Sequence, residues 1–184
     1  NLGDGVNFQY NIAIGGNALN STGTTQHEGT IAIGYNAGTS INAEAAEGSV
    51  LIGHGAGGSI TSDSGNTAVG YSALTAASGG GSDYNTAVGY DAGKTLTGNS
   101  NSNVAIGTYA LQSAAENDRN TVIGYGAAGA FDDGQDGNVV IGYSAGNSIN
   151  PAAADYNVII GFEAGSGGSG DLANAVIIGA NAMN

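Results

Sequence analysis

A nine-residue phrase, Asn85-Thr86-Ala87-Val88-Gly89-Tyr90-Asp91-Ala92-Gly93 in one of its copies, occurs ten times and leaves spacers of eight to ten residues between copies. Its central glycine falls at Gly15, Gly34, Gly53, Gly70, Gly89, Gly107, Gly124, Gly142, Gly161 and Gly179, at intervals of 17 to 19 residues. Three places later every copy has alanine, from Ala18 to Ala182. A fixed period of this length marks a stacked array, in which no unit can bury its own apolar face without a neighbour above and below. The sequence therefore divides into residues 1–10, a partial coil or junction, and residues 11–184, a ten-copy repeat array.

The positions before the glycine carry the strand signal. The residue immediately before it is always Ile or Val, and the residue three before it is always β-branched, from Ile12 to Val176. These two positions share one face of a strand and are expected to stack as ladders inside the coil. The residue between them (Ala13, Ala32, Leu51, Ala68, Ala87, Ala105, Val122, Val140, Ile159, Ile177) is then expected to point outward, yet it is never polar. A strand apolar on both sides is buried on both sides. With about 4.7–4.8 Å between neighbouring strands, ten coils give a rod roughly 45 Å long whose phrase strands run parallel and in register. The glycine itself is read as a corner, or as a close approach between backbones.

The spacers are Gly, Ser, Thr, Asn and acidic residues, the chemistry of turns. They carry a second regularity, an apolar residue seven places after the glycine at Ile41, Ile60, Ala77, Leu96, Ala114, Phe131 and Ile149, with Thr22 and Gly168 as exceptions. This predicts a second, shorter strand in each coil. Asn opens the phrase in seven copies (Asn11, Asn66, Asn85, Asn103, Asn120, Asn138, Asn157), where stacked side chains are expected to hydrogen-bond along the array. The residue after the glycine is Tyr35, Tyr71, Tyr90, Tyr125 or Tyr143, with Phe162 in a sixth copy and His54 in another. Such a column is a packing ladder, a row of half-exposed hydroxyls or a platform for stacking carbohydrate; packing is the reading adopted.

Charge sets the outer limits. Fifteen acidic residues face two basic ones, Lys94 and Arg119, for a net charge of −13, and 13 of the 15 lie outside the phrases, on an acidic rim. Such a surface repels phosphate backbones, which excludes nucleic acid and anionic membranes as partners. The chain has no cysteine, so a disulfide scaffold is excluded, and no apolar run long enough to span a bilayer, so no membrane insertion by this segment is expected. Opening on Asn1, it reads as a fragment or a processed product.

The phrases Asn66-Thr67-Ala68-Val69-Gly70-Tyr71-Ser72-Ala73-Leu74 and Asn103-Val104-Ala105-Ile106-Gly107 resemble the head repeats of trimeric autotransporter adhesins of the YadA type. They are equally similar to the Asn-Thr-Ala-Val-Gly-Tyr-x-Ala repeats of phage tail fibres. The resemblance runs from Asn11 to Asn184. It implies an all-β, left-handed parallel β-roll or β-solenoid of about ten coils, assembled as a parallel homotrimer in an extracellular adhesive fibre of a virion or a bacterial surface. The period here is longer than the adhesin head repeat, so the loops must bulge outward, and the Tyr after the glycine lies closer to the fibre variants.

The functional expectations follow. An enzyme is not expected: His27 sits in a polar spacer and His54 in the aromatic column, neither with catalytic partners. No cofactor is implied. The cluster Asp132-Asp133-Gly134-Gln135-Asp136-Gly137 is similar to the opening of a calcium loop, making Asp132, Asp133 and Asp136 weak metal candidates, but Tyr143 stands where an EF-hand loop needs its bidentate Glu. Contacts to a host receptor or glycan fall on the variable spacers, with Tyr84, Phe131 and Tyr156 as candidates. The competing readings are a purely mechanical fibre spacer and an ice-binding solenoid, the latter disfavoured because Thr67, Thr86 and Thr121 alternate with Val and are expected to face inward. Finally, the apolar middle column would leave a lone solenoid with an exposed stripe. A parallel homotrimer covers it, with Ala13, Ala68, Ala87 and Ala105 near the axis, and the change to Val122, Val140, Ile159 and Ile177 reshaping the shared core toward the C-terminus.

Overall fold

The computed structural model describes residues 8–20, 27–42, 47–77, 80–113, 115–149, 154–167 and 172–183. Twelve strands occur among them: β1 Phe8–Gln9, β2 Ile12–Ile14, β3 His27–Glu28, β4 Ile31–Ile33, β5 Val50–Ile52, β6 Thr67–Val69, β7 Thr86–Val88, β8 Val104–Ile106, β9 Thr121–Ile123, β10 Val139–Ile141, β11 Val158–Ile160 and β12 Val176–Ile178. The ten phrase strands form one parallel sheet in sequence order, and β1 pairs in parallel with β3. Register is strict: Thr86, Ala87 and Val88 lie opposite Val104, Ala105 and Ile106, and the same alignment holds along the sheet. The chain is thus an all-β solenoid built on a ten-stranded parallel sheet.

Each phrase strand stops after three residues because the phrase glycine turns the chain at φ between +126° and +141°, a region closed to other residues. The same atom sets the approach of neighbouring coils. A Cβ on Gly89 would lie 2.6 Å from the carbonyl carbon and oxygen of Gly107, and the contact repeats from Gly15 to Gly161. Beyond the glycine the coil turns through further left-handed positions, such as Asp91 (φ 52°) and Leu74 (φ 49°), which carry strain in any residue but glycine. Inter-coil hydrogen bonds hold these conformations: the Asp91 N–H donates to Tyr71 O and the Leu74 N–H to Ala92 O. The backbone ladder thus continues through the turns although the strands have ended.

The interior overturns one expectation. The middle strand residue is the one that faces into the coil: Ala32, Leu51, Ala68, Ala87, Ala105, Val122, Val140 and Ile159 are fully buried within their own chain. Ala13 is partly buried against the same core. The β-branched residues on either side point out. Ala13, Ala68, Ala87 and Ala105 therefore cannot line a trimer axis. The alternation of faces was legible, but the face was inverted, because one coil is too thin to hold two columns of Ile and Val.

What fills the thin interior is a compensation of volumes between the middle strand residue and the residue six places later. Leu51 is matched with Gly57, Ala68 with Leu74, Ala105 with Leu111, Val140 with Gly146 and Ile159 with Gly165. Where both are small, as at Ala87 and Gly93, Leu74 of the neighbouring coil and Leu96 of the same coil's spacer fill the space, their methyl groups 3.0 Å from where a Gly93 Cβ would stand. Toward the C-terminus the larger middle residues Val140 and Ile159 are thus balanced by Gly146 and Gly165 in their own coils, as close packing requires. The spacer column completes the core. Ile41, Ile60, Ala77, Leu96, Phe131 and Ile149 are all buried. They belong to turns: among the described residues β1 and β3 are the only strands outside the phrases, so the expected second strand does not form. Ala114, Thr22 and Gly168 lie outside the described residues.

The Asn column forms as expected. Asn85 Oδ1 accepts from both the backbone N–H and the Nδ2 of Asn103, at 2.9 and 3.0 Å, while Asn103 Oδ1 accepts from the N–H of Asn120 at 3.0 Å. From Asn66 to Asn157 each Nδ2 also ties the strand to the spacer that follows it, as Asn85 Nδ2 does to Ser100 O at 2.7 Å. The ladder runs from Ser49 through Asn157 to Ala175 and is buried throughout its middle. Because a buried orphaned donor or acceptor costs about 1–3 kcal/mol, Asn103→Ala is expected to destabilise the array by about 2–4 kcal/mol. Gly89→Ala adds backbone strain to a steric clash and is expected to cost at least about 2 kcal/mol. Denaturant midpoints check both, and an unchanged midpoint would contradict the packing described.

Candidate functional site

Three lengthwise surfaces remain for function. The first is the outward face of the sheet. Its two columns, Ile12 to Val176 and Ile14 to Ile178, comprise twenty residues, all Ile, Val or Thr. They are half-buried or exposed in every coil. Thr67, Thr86 and Thr121 lie here, facing out rather than in. This face is uncharged and largely apolar because the phrase carries β-branched residues on both sides of an inward alanine or its substitute.

The second surface begins just past the glycine corner. Tyr35, His54, Tyr71 and Tyr90 follow one another at centroid distances of 5.3, 4.9 and 5.0 Å, and Tyr125, Tyr143 and Phe162 at 5.3 and 5.2 Å. Most of these neighbours stack within 11° of parallel; Tyr35 and His54 are tilted by 33°. The coil between the two runs has Thr108 at the aromatic position, and the next residue, Tyr109, closes the gap. Its ring stands at 84° to Tyr90 and 83° to Tyr125. Sequence reading by strict column missed Tyr109; allowing the aromatic to slide by one place finds it. The packing reading of the column holds, while the Tyr rings of the stacked runs stay 44–52% exposed. Stacking occupies their faces, so those runs cannot serve as a carbohydrate-stacking platform.

The third surface is the corner ahead of the strand, where much of the rim charge has a structural task. The carboxylates of Asp83, Asp118, Asp136 and Asp155, with Asn101 among them, each accept a backbone N–H from the coil before, at 2.6 to 2.9 Å. This ladder runs opposite in sense to the Asn ladder beside it. Asp136 is one of its rungs, and its other oxygen meets Arg119 Nη2 at 3.3 Å. Asp132 and Asp133 are exposed, and among the described residues no group of three or more acidic, His or Cys side chains is arranged to hold a metal ion. Asp132, Asp133 and Asp136 are therefore not brought together as a metal site.

The receptor candidates divide. Tyr84 and Tyr156 are 66% and 58% exposed, each at a left-handed corner (φ 59°). Their rings lean over Gly65 and Gly137, where an added Cβ would meet ring carbons at 2.8 and 2.7 Å. Phe131 is buried, because it fills the spacer column of the core, and no receptor can reach it. Beside the aromatic column Asp91, one of the two acidic residues inside the phrases, is also buried. Its Oδ2 binds Lys94 Nζ at 2.9 Å, and its Oδ1 has no hydrogen-bond partner. No helix among the described residues is long and apolar enough to cross a membrane.

The chain matches no protein-family model, no curated protein and no solved structure.

The Asp91 carboxylate holds the Tyr90 hydroxyl above its ordinary value of 10.0, with desolvation and the neighbouring tyrosines acting in the same direction. It also raises Lys94, first through their hydrogen bond. Both shifts carry the same sign for stability. The Lys94–Asp91 pair stabilises the fold below the ordinary lysine value of 10.5 and is lost as pH rises through the raised one. Ionising Tyr90, which the folded state resists, likewise favours unfolding above about pH 10. An ultraviolet titration is expected to show one tyrosine ionising later than the ordinary value, and Asp91→Asn to bring it down; identical titrations would contradict the assignment.

Proposed function

We propose that this segment is a structural and adhesive part of an extracellular trimeric fibre, of a phage tail or a bacterial surface, that mediates attachment to a host or surface. The observation that supports the reading is the outward sheet face, twenty Ile, Val and Thr side chains without a charge along the whole rod. Soluble monomers rarely leave so continuous an apolar stripe in water. A parallel homotrimer, the assembly the resemblance implies, covers it with one repeated contact, since identical coils of three chains meet at the same height and cyclic closure leaves no copy free. The axis then belongs to columns such as Val69, Val88 and Ile123, and the middle alanines stay inside each protomer. Host contacts fall to the exposed Tyr84 and Tyr156 among the spacers.

A second reading, an ice-binding solenoid, gains from the outward placement of Thr67, Thr86 and Thr121. It stands second because seven of the ten residues in that column are Ile or Val, so no regular Thr ladder forms. A purely mechanical spacer shares the trimer and lacks only the host contact.

Sedimentation at low concentration tests the assembly. The segment is expected to run as a trimer. Val88→Asp is expected to break the trimer while each coil keeps its interior, whereas Ala87→Asp buries an unpaired charge inside the coil and is expected to unfold it locally. A wild-type segment that is folded and monomeric would overturn the proposal, and thermal hysteresis with shaped ice crystals would favour the second reading.

A further inference from the structure

We infer that the aromatic column from Tyr35 to Phe162 is a binding track for an uncharged, extended, β-1,4-linked polysaccharide lying parallel to the solenoid axis, about one sugar to a coil. This deepens the adhesive half of the proposed function and rests on it. The column lies past the glycine corner, on the side of the coil next to the sheet face, so a trimer closed through that face does not require the column to be its interface.

Four features set the ligand's chemistry. First, the column is unbroken: eight rings follow one another at 4.9 to 5.7 Å, with Tyr109 replacing the ring that Thr108 lacks. An extended β-1,4-linked glycan advances by nearly the same distance per sugar and turns over at each linkage, so one sugar falls to each coil and every second sugar presents the same hydroxyls to the column. Second, the stacked rings present edges and polar tips, not faces. Ring edges carry the positive side of the aromatic quadrupole, and tyrosine hydroxyls both donate and accept, which suits a ligand dense in oxygen. Third, Tyr109 is half-buried and stands across the column at 84° and 83°, so stacking on its neighbours does not use its faces, and the part of the ring left exposed is where a pyranose would pack. Fourth, the charge pattern excludes acidic polymers. The net charge is −13, and both cations are already paired with carboxylates, Lys94 with Asp91 beside the column and Arg119 with Asp136. Weak contacts repeated along a line add through effective concentration, so affinity must grow with the length of the sugar chain.

Calorimetric titration of the whole segment with cello-, chito- and manno-oligosaccharides of increasing length tests this, with polygalacturonate as the acidic comparison. Affinity for at least one neutral series is expected to rise with each added sugar, and polygalacturonate is expected not to bind. Tyr109→Ala is expected to weaken the longest oligosaccharide at least about tenfold. The combined Tyr71→Phe, Tyr90→Phe, Tyr125→Phe and Tyr143→Phe variant keeps the stacked rings, and so the fold, while removing hydroxyls; it is expected to lose at least about tenfold as well. No binding of any neutral series, affinity independent of length, or binding untouched by the Phe variant overturns the inference. Sedimentation of the same samples keeps the two proposals apart: a trimer that ignores glycans sinks only the track, and a glycan-binding monomer sinks only the trimer.

Discussion

The whole structure depends on one distance, the hydrogen-bonding separation of about 4.7–4.9 Å between stacked strands. Every other regularity in this chain is a way of keeping the ten stacked phrase strands at that separation without a gap. The phrase glycine is required because, at that height, the carbonyl of the next coil occupies the space of any Cβ. The left-handed turn residues beyond it persist because inter-coil hydrogen bonds such as Asp91 N–H to Tyr71 O continue the ladder where strand geometry ends. The aromatic spacing near 5 Å follows from the same separation, and so does the reach of an Asn side chain to the backbone of the next coil.

A stack held this way has a thin interior, and that thinness distributes the residues between core and surface. One coil has room for a middle strand residue, the alanine of the phrase, one side chain from the turn and one from the spacer. The exchange of Leu51 with Gly57 for Ala68 with Leu74 shows how closely the sum is kept. The two β-branched columns that flank the middle residue therefore go outside, and the sheet gains an apolar face that its own coil cannot cover. Structure and proposed assembly are linked at this point: the economy of the interior creates the stripe that a neighbouring chain is suited to bury.

The polar ladders have a different consequence. The Asn and Asp columns at the corner ahead of the strand donate and accept in opposite senses along the axis, so each coil is tied both to the coil above and to the coil below. Much of the chain's negative charge on this corner is committed to backbone N–H groups, and carboxylates that might have formed a cation site are spaced out as rungs, one to a coil. Two surfaces are left with freedom to recognise something: the aromatic column, and the spacer corners that carry Tyr84 and Tyr156.

The sequence by itself determined the repeat, the parallel in-register strands, the glycine corner, the buried spacer column and the Asn ladder. All of these follow from spacing, because a period near 18 residues places like residues above one another whatever the cross-section of the coil. It determined the alternation along each strand but not which face looks inward. That choice depends on how much volume the rest of the coil leaves, which no single phrase contains. Only the tertiary structure decided that Ala87 is core and Val88 is surface, that Phe131 is out of reach, that Tyr109 joins a column from the wrong position, and that Asp136 supports a backbone instead of waiting for a metal ion. In each case the deciding partner lies in another coil or across the same one, and its distance is set by packing.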